Sequence, residues 1–305
     1  MPARYRDGRP SAAFTSSHAT KVLGLACKAV GLDPAGAELM RLGENALFHL
    51  PDADVIVRNA RGPDVERDAA KEVAVARWLR DAGLPAAETA DLAQPIMVEG
   101  HPVTFWKRVP NSGVLTSTSE LGAVLRRVHD LPVPGRLGLP AFDMFRRVGD
   151  RLDSARGIDA EDVSFLRRRA AELRAEYDEL VFPSASGALH GDAHVQNLIK
   201  TPSGQAVLID FEAFAFGPRE IDLSTTACER DLGWHSAADY EAFCEAYGYD
   251  VTTWDGFAVL RDINHLKMTT WLMQNVSEGP DVAAEFQTRL ASLKGVPTGN
   301  PWRPF

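Results

Sequence analysis

Residues 187–214 read GALHGDAHVQNLIKTPSGQAVLIDFEAF, and this stretch constrains the chain more than any other. Two short apolar runs, Leu198-Ile199 and Val207-Leu208-Ile209, flank the turn-forming residues Pro202-Ser203-Gly204. That pattern predicts a hairpin-like return of the backbone, which brings Asp210 back beside Asn197. Asp192 lies five positions before Asn197, so a carboxamide and two carboxylates gather between apolar segments. Such groups cost desolvation energy unless something neutralises them. A set of hard oxygens suits Mg²⁺, which keeps several waters and takes one or two carboxylates together with phosphate oxygens. Zinc fits poorly, because thiolates are absent and only His190 and His194 offer nitrogens. With Asn197 and Asp210 on a metal, Asp192 is left to orient a hydroxyl and accept its proton. Metal, phosphate clamp and positioned nucleophile are the parts that phosphoryl transfer requires.

The rest of the 305-residue composition narrows the partners. A formal net charge of −9 argues against nucleic acid and anionic membranes, whose phosphates need a basic face, and favours cationic small molecules. The three cysteines, Cys27, Cys228 and Cys244, are far apart, which points to a reducing compartment without a disulfide frame or zinc site. The arginines near the N-terminus precede no apolar core of a signal peptide, and no window approaches a membrane span. The expectation is a cytoplasmic protein that binds a nucleotide and a small-molecule acceptor, with no obligate protein partner.

Along the chain, residues 1–17 read as a loose arm and 19–30 as a helix. Strands follow in ELMRLGENALFHLP and ADVIVRNA, joined by a turn at Pro51–Asp54, then a helix over 64–83 stopped by Gly83. QPIMVEGHPVTFWKRVP predicts a hairpin turning at Glu99-Gly100. Beyond a linker near 107–113 the texture turns helical: a helix capped by Ser117 or Thr118, further helices over 143–156 and 159–181, and an almost wholly helical run after Arg219. Strands do not alternate regularly with helices, so two lobes with a cleft fit better than one doubly wound sheet.

HGDAHVQN, followed by LIDFE and GPREIDL, resembles the aminoglycoside phosphotransferase and choline kinase family, a branch of the protein-kinase-like fold. The resemblance implies an α+β, two-lobed molecule: a small N-terminal lobe with an antiparallel sheet over 1–107 and a larger, mostly helical lobe over 108–305. It implies Asp192 as the catalytic residue, Asn197 and Asp210 as Mg²⁺ ligands, and His190 and Asp222 as braces of the fold. It also implies ATP or GTP as donor and a hydroxyl acceptor. A protein kinase is set aside, because the three-glycine loop, the HRD spelling and an APE segment are missing.

DVIVRNA resembles the strand that carries the phosphate-clamping lysine of kinases, and Arg58 stands at that position. A guanidinium fork can hold two phosphate oxygens, in a geometry unlike that of lysine. For its acidic partner, Glu72 falls in line with Val65, Ala69, Ala76 and Leu79, whereas Glu66 reads as a solvated face. A carboxylate on an apolar stripe needs a cation, which selects Glu72. Backbone groups near Gly43, Glu44 and Asn45 are candidates to contact phosphate, and those of Trp106, Lys107 and Val109 to contact the base. Glu212 either stands near the metal or caps its loop. For the acceptor, candidates on the late helices are Glu229, Asp231, Trp234, His235, Asp262, His265, Trp271 and Gln274, with Asp262 and His265, three apart on one face, preferred. An aminoglycoside or related natural product leads as acceptor. The alternatives are choline, a sugar or an amino alcohol, or a nucleotide-binding protein with little transfer activity.

Overall fold

A computed structural model describes residues 15–43, 45–60, 62, 66–297 and 301–305. Most of the expected N-terminal arm, Glu44 of the phosphate loop, Val65, the side chain of Glu66 and residues 298–300 lie outside the described residues. The chain divides into two units, Met1–Asp81 with Ala86–Pro110, and Ala82–Pro85 with Asn111–Phe305.

The first unit is a five-stranded antiparallel sheet with two helices. Helix α1 (Ser16–Val30) starts at Thr15, whose side chain accepts from the His18 N–H, and stops at Gly31 in the left-handed region. Strands β1 (Glu38–Leu42), β2 (Asn45–Leu50), β3 (Val55–Ala60), β4 (Ile96–Val98) and β5 (His101–Lys107) order as β1-β2-β3-β5-β4. Burial alternates along β2 and β3, so one face carries Phe48, Leu50, Val55 and Val57 into a core shared with Val22, Leu23 and Cys27 of α1 and with Val103 and Phe105. Helix α2 (Glu66–Asp81) is shorter than the predicted 64–83 at its C-terminal end, because Gly83 takes φ +68° and the turn before it has already left the helix.

The second unit is mostly helical. Residues 82–85 belong to it because the Gly83 carbonyl accepts from Arg127 at 2.7 Å and the Pro85 carbonyl from Leu208 N–H at 2.9 Å. Helix α3 (Thr118–Asp130) opens on Ser117 with a reciprocal capping box to Glu120. Helix α4 (Arg146–Asp153) begins three residues later than predicted, since the Asp143 carboxylate accepts from Phe145 N–H at 2.9 Å and holds that turn outside the helix. Helix α5 (Ala160–Asp178) uses Asp159 as its cap. Helices α6 (Glu220–Asp231), α7 (Ala237–Tyr247), α8 (Phe257–Gln274) and α9 (Pro280–Leu293) complete it. The core runs through Val148, Leu166, Leu173, Leu260, Ile263, Leu266 and Phe286.

Two small ribbons interrupt the helices. β6 (Ser186–Leu189) pairs with β9 (Ala215–Pro218), and β7 (Leu198–Lys200) pairs with β8 (Ala206–Leu208). Between them they fix both ends of two loops, 190–197 and 209–214. None of the described helices is long and apolar enough to cross a membrane.

Helix α3 approaches α7 closely through Gly122, where a Cβ would lie 2.6 Å from the Phe243 carbonyl oxygen. Gly122→Ala should therefore push the helices apart and cost about 1–3 kcal/mol of unfolding free energy, the usual range for overpacking. Urea denaturation checks this; an unchanged midpoint would mean the contact yields freely.

Candidate active site

A buried carboxylate anchors the first loop. Asp222, in the first turn of α6, accepts from the backbone N–H of His190 at 2.7 Å and of Gly191 at 2.8 Å. His129 Nε2 donates to it at 3.0 Å, and the Tyr247 hydroxyl lies 2.8 Å from His129 Nδ1. Burial pushes the Asp222 carboxyl up, but the His129 hydrogen bond, the charges of His129 and His190 and the Gly191 N–H outweigh it and hold the group below the usual range. Gly191 has φ +80°, and a Cβ there would meet the Ala213 carbonyl oxygen at 2.3 Å and the Phe142 ring at 2.8 Å. Only glycine fits. The His190 imidazole is buried, meets the Ile209 carbonyl at 2.9 Å and packs edge-on against Phe214, which ties the first loop to the second.

Held this way, the loop presents Asp192. Asn197 Nδ2 donates to the Asp192 carbonyl at 2.7 Å and to its carboxylate at 3.3 Å. His194 Nε2 lies 3.4 Å from the same carboxylate and 3.1 Å from Asn197 Nδ2. The Asp192 side chain is 59% exposed at the loop tip although protein atoms crowd around it. That crowding raises its pKa, but the His194 hydrogen bond and the charges of His194, His190 and Lys267 overrule it, and Asp192 titrates well below the usual carboxylate range. The β7–β8 register pairs Leu198 with Leu208, and Ile209 N–H donates to the Asn197 carbonyl at 3.0 Å, so Asp210 follows directly on the residue bonded to Asn197. Asp210 adopts φ +62°, left-handed for a residue with a side chain, and Glu212 N–H approaches its Oδ1 at 3.4 Å. Glu212 itself forms an ion pair with Arg147 of α4.

These donors fit a hard divalent cation. Asn197 spends only its nitrogen on hydrogen bonds, which leaves Oδ1 available, and the exposed Asp210 carboxylate makes no ion pair among the described residues. No group of three His, Cys, Asp or Glu side chains among the described residues could hold a metal unaided. One carboxamide and one carboxylate, completed by phosphate and water, match the sparse protein coordination of Mg²⁺.

In the first unit, Arg58 sits at the centre of β3, opposite Leu47 of β2 and Thr104 of β5, and forms an ion pair with the buried Glu72 of α2. Gly43 N–H donates to the Asn45 carbonyl at 3.0 Å, closing the tight turn between β1 and β2. Trp106 lies half-buried on β5 with its indole N–H on Thr104 Oγ1 at 2.9 Å. Lys107 pairs with Glu88 at 2.8 Å through its ammonium, and its backbone N–H is spent on the Glu88 carbonyl. Arg108 N–H is likewise spent on Asp54, while the half-buried Val109 makes no such bond among the described residues.

Comparison with known proteins now has a geometry to meet. The family model described as "Phosphotransferase enzyme family" matches residues 42–260, which takes in β2 through the first turn of α8. The chain belongs to the phosphotransferase enzyme family. Among curated protein sequences no relative matches it. The phosphotransferase is similar in fold to the amicoumacin kinase hAmiN in complex with AMP-PNP, Ca²⁺ and Ami, at 14% identity and TM-score 0.73 over 96% of each chain. It is similar to a microcompartment-associated aminopropanol kinase at 17% identity and TM-score 0.71, covering 90% of this chain and 94% of that one. A third similar structure is the choline kinase LicA from Streptococcus pneumoniae, at 15% identity and TM-score 0.61, covering 90% and 99%. The phosphotransferase thus shares the α+β fold of these kinases.

The late helices of the phosphotransferase distribute the remaining candidates unevenly. Asp262 is engaged by Arg169 at 3.0 Å and by Arg261 at 3.1 Å. The His265 ring packs against Trp302 at 4.8 Å, and burial pushes its pKa down to about 4. Trp234 donates its indole N–H to the Trp302 carbonyl at 2.8 Å, and Trp271 is exposed. Glu229 is buried, lies 3.1 Å from His235, and its charge also reaches His194 of the loop. Two residues near the loop were not singled out by sequence reasoning. The sequence offers His194 only as a poor zinc ligand, and Lys267 lies on α8, far along the chain from the loop. Its signal was present, for Lys267 continues the buried line of Leu260 and Ile263 at steps of three and four.

Asp222→Asn puts an N–H where an acceptor oxygen faces a backbone N–H, and should cost about 1–3 kcal/mol of stability. The carboxyl is held below its unfolded value of about 3.9, so its contribution is complete above that pH and is lost as pH falls through the folded pKa. Urea titrations across that acidic window should therefore show a shallower decline in the variant than in the wild type. Parallel declines would assign the acid sensitivity elsewhere.

Proposed function

We propose that this phosphotransferase moves the terminal phosphoryl group of ATP or GTP onto a hydroxyl of a small, amine-bearing molecule, with Asp192 as the residue that receives the hydroxyl proton. One observation carries the reading: the Asn197 carboxamide nitrogen is bonded to Asp192, while the Ile209 N–H on the Asn197 carbonyl sets Asp210 one residue beyond that bond. The acceptor class is supported by the net charge of −9 and by the buried Glu229 carboxylate, whose charge reaches the loop. The similar structures include an aminopropanol kinase and a choline kinase, whose acceptors carry an amine or ammonium group.

The chain's own residues divide the work. Arg58, steadied by Glu72, offers a two-pronged donor to phosphate oxygens. Backbone near Gly43 and Asn45 would contact the phosphates, and that near Trp106, Lys107 and Val109 the base; with the N–H groups of Lys107 and Arg108 spent, Val109 N–H is the donor left there among the described residues. Mg²⁺ held by Asn197 and Asp210 would neutralise charge on the donor's phosphates. Asn197 Nδ2 aims the Asp192 carboxylate. Because Asp192 is held strongly acidic, it is a weak base and accepts the proton only once the new phosphorus–oxygen bond is well formed. This suits a loose transition state, in which positioning contributes more than proton abstraction.

Asp192→Asn should lower turnover by about 10²–10⁴-fold, the range for loss of a positioned base, with MgATP affinity within a few-fold of wild type. Asp210→Ala should instead abolish the Mg²⁺ dependence of nucleotide affinity. Release of nucleoside diphosphate, followed with ATP and GTP over a panel of aminoglycosides, choline, amino alcohols and sugars, tests both. Full turnover in Asp192→Asn would remove the assigned role, and a wild type that binds nucleotide yet transfers to no acceptor would replace the reading with nucleotide binding alone.

A further inference from the structure

Lys267 is a cation with nothing to hold. It lies on α8 in line with Leu260 and Ile263, both buried. Its ammonium makes no hydrogen bond or ion pair among the described residues, and lies 5.9 Å from the centre of the Phe142 ring. That ring is the one packed against Gly191, 2.8 Å from where a Cβ would stand, so Lys267 is set beside the loop that presents Asp192. Arg151 of α4 donates to the Lys267 carbonyl at 3.2 Å, which brings a second cation to the same place. Burial pulls the Lys267 pKa down, and the charge of Asp192 is the first to oppose that loss. Three ammonium donors left unspent in a crowded setting are costly unless an anion arrives to take them.

We propose that Lys267 is a further catalytic residue, which binds an anionic oxygen of the phosphoryl group in transit. The inference rests on the reading of Asp192 given above. In the step, the acceptor oxygen forms a bond to the terminal phosphorus of the nucleoside triphosphate. The bond from that phosphorus to the bridging oxygen breaks, its electron pair leaves with the nucleoside diphosphate, and the hydroxyl proton passes to Asp192. Charge spreads over the three equatorial oxygens of the group in flight. A fixed ammonium beside Asp192 meets that charge without having to reorganise. An anionic group on the acceptor would offer the same chemistry, and the experiment separates the two sources.

The probe is aluminium fluoride with MgADP, which mimics the phosphoryl group in flight and needs no acceptor. Wild-type protein should bind MgADP more tightly when aluminium fluoride is added. Lys267→Met should lose at least tenfold of that tightening while its affinity for MgADP alone stays within twofold, and Lys267→Arg should recover part of it. The melting temperature of Lys267→Met should equal or exceed that of wild type, since an unmatched, half-buried charge has been removed. Undiminished tightening in Lys267→Met overturns the proposal and leaves Lys267 to an anionic acceptor. A lowered melting temperature overturns it as well, because Lys267 would then be a structural residue. Failure of the wild type to bind MgADP at all would instead strike the reading of the site itself.

Discussion

The geometry of the loop depends on one buried carboxylate. Asp222 takes two consecutive backbone N–H groups and an imidazole N–H, and Asp222, His129 and His190 are all buried. Consecutive N–H groups point the same way only when the chain turns, and Gly191 in the left-handed region supplies that turn. Every residue after it, Asp192 included, is aimed by this arrangement. The Ala213 carbonyl closes over Gly191 from the opposite loop, so the two loops share a single packing solution. An apolar residue in place of Asp222 would leave three donors stranded, which explains why so expensive a group sits at the base of α6.

Around Asp192 the balance of charge is as informative as the distances. Histidine nitrogen, carboxamide nitrogen and a lysine ammonium all act on one carboxylate, and together they overcome the cost of crowding. The result is an aspartate that stays ionised at any physiological pH. Such a group contributes orientation and a stable negative charge rather than strong basicity. In the first unit the logic is similar but simpler. Arg58 lies in the middle of a paired strand, and a buried glutamate from α2 keeps its long side chain from wandering. A guanidinium so held has little rotamer freedom left to lose when phosphate arrives.

Much of this was legible in the chain before any coordinates. The return of residues 198–208 follows from two short apolar runs around Pro-Ser-Gly, and local turn chemistry decides it. The place of Glu72 on α2 follows from helical spacing, since a carboxylate on an apolar stripe needs a nearby cation. The start of α3 at Ser117 or Thr118 was equally local, and Ser117 is the cap. What escaped were pairings set by distant parts of the chain. Asp262 looked available because its neighbours in sequence do not reveal Arg169, 93 positions away. His265 gave no sign of the Trp302 ring that covers it. The spent N–H groups of Lys107 and Arg108 depend on Glu88 and Asp54, which no spacing rule connects to them. The late start of α4 turned on one side chain, Asp143, competing with the helix for its own backbone.

Asp210 carries a consequence of a different kind. Its backbone occupies a conformation that glycine and asparagine enter readily, and bulkier side chains with reluctance. The residues that would preserve the fold of this turn lack a negative charge. Glutamate would keep the charge but add a methylene and move the oxygens away from Asn197. Backbone and chemistry therefore veto different replacements at the same position, and between them leave evolution almost no alternative spelling there.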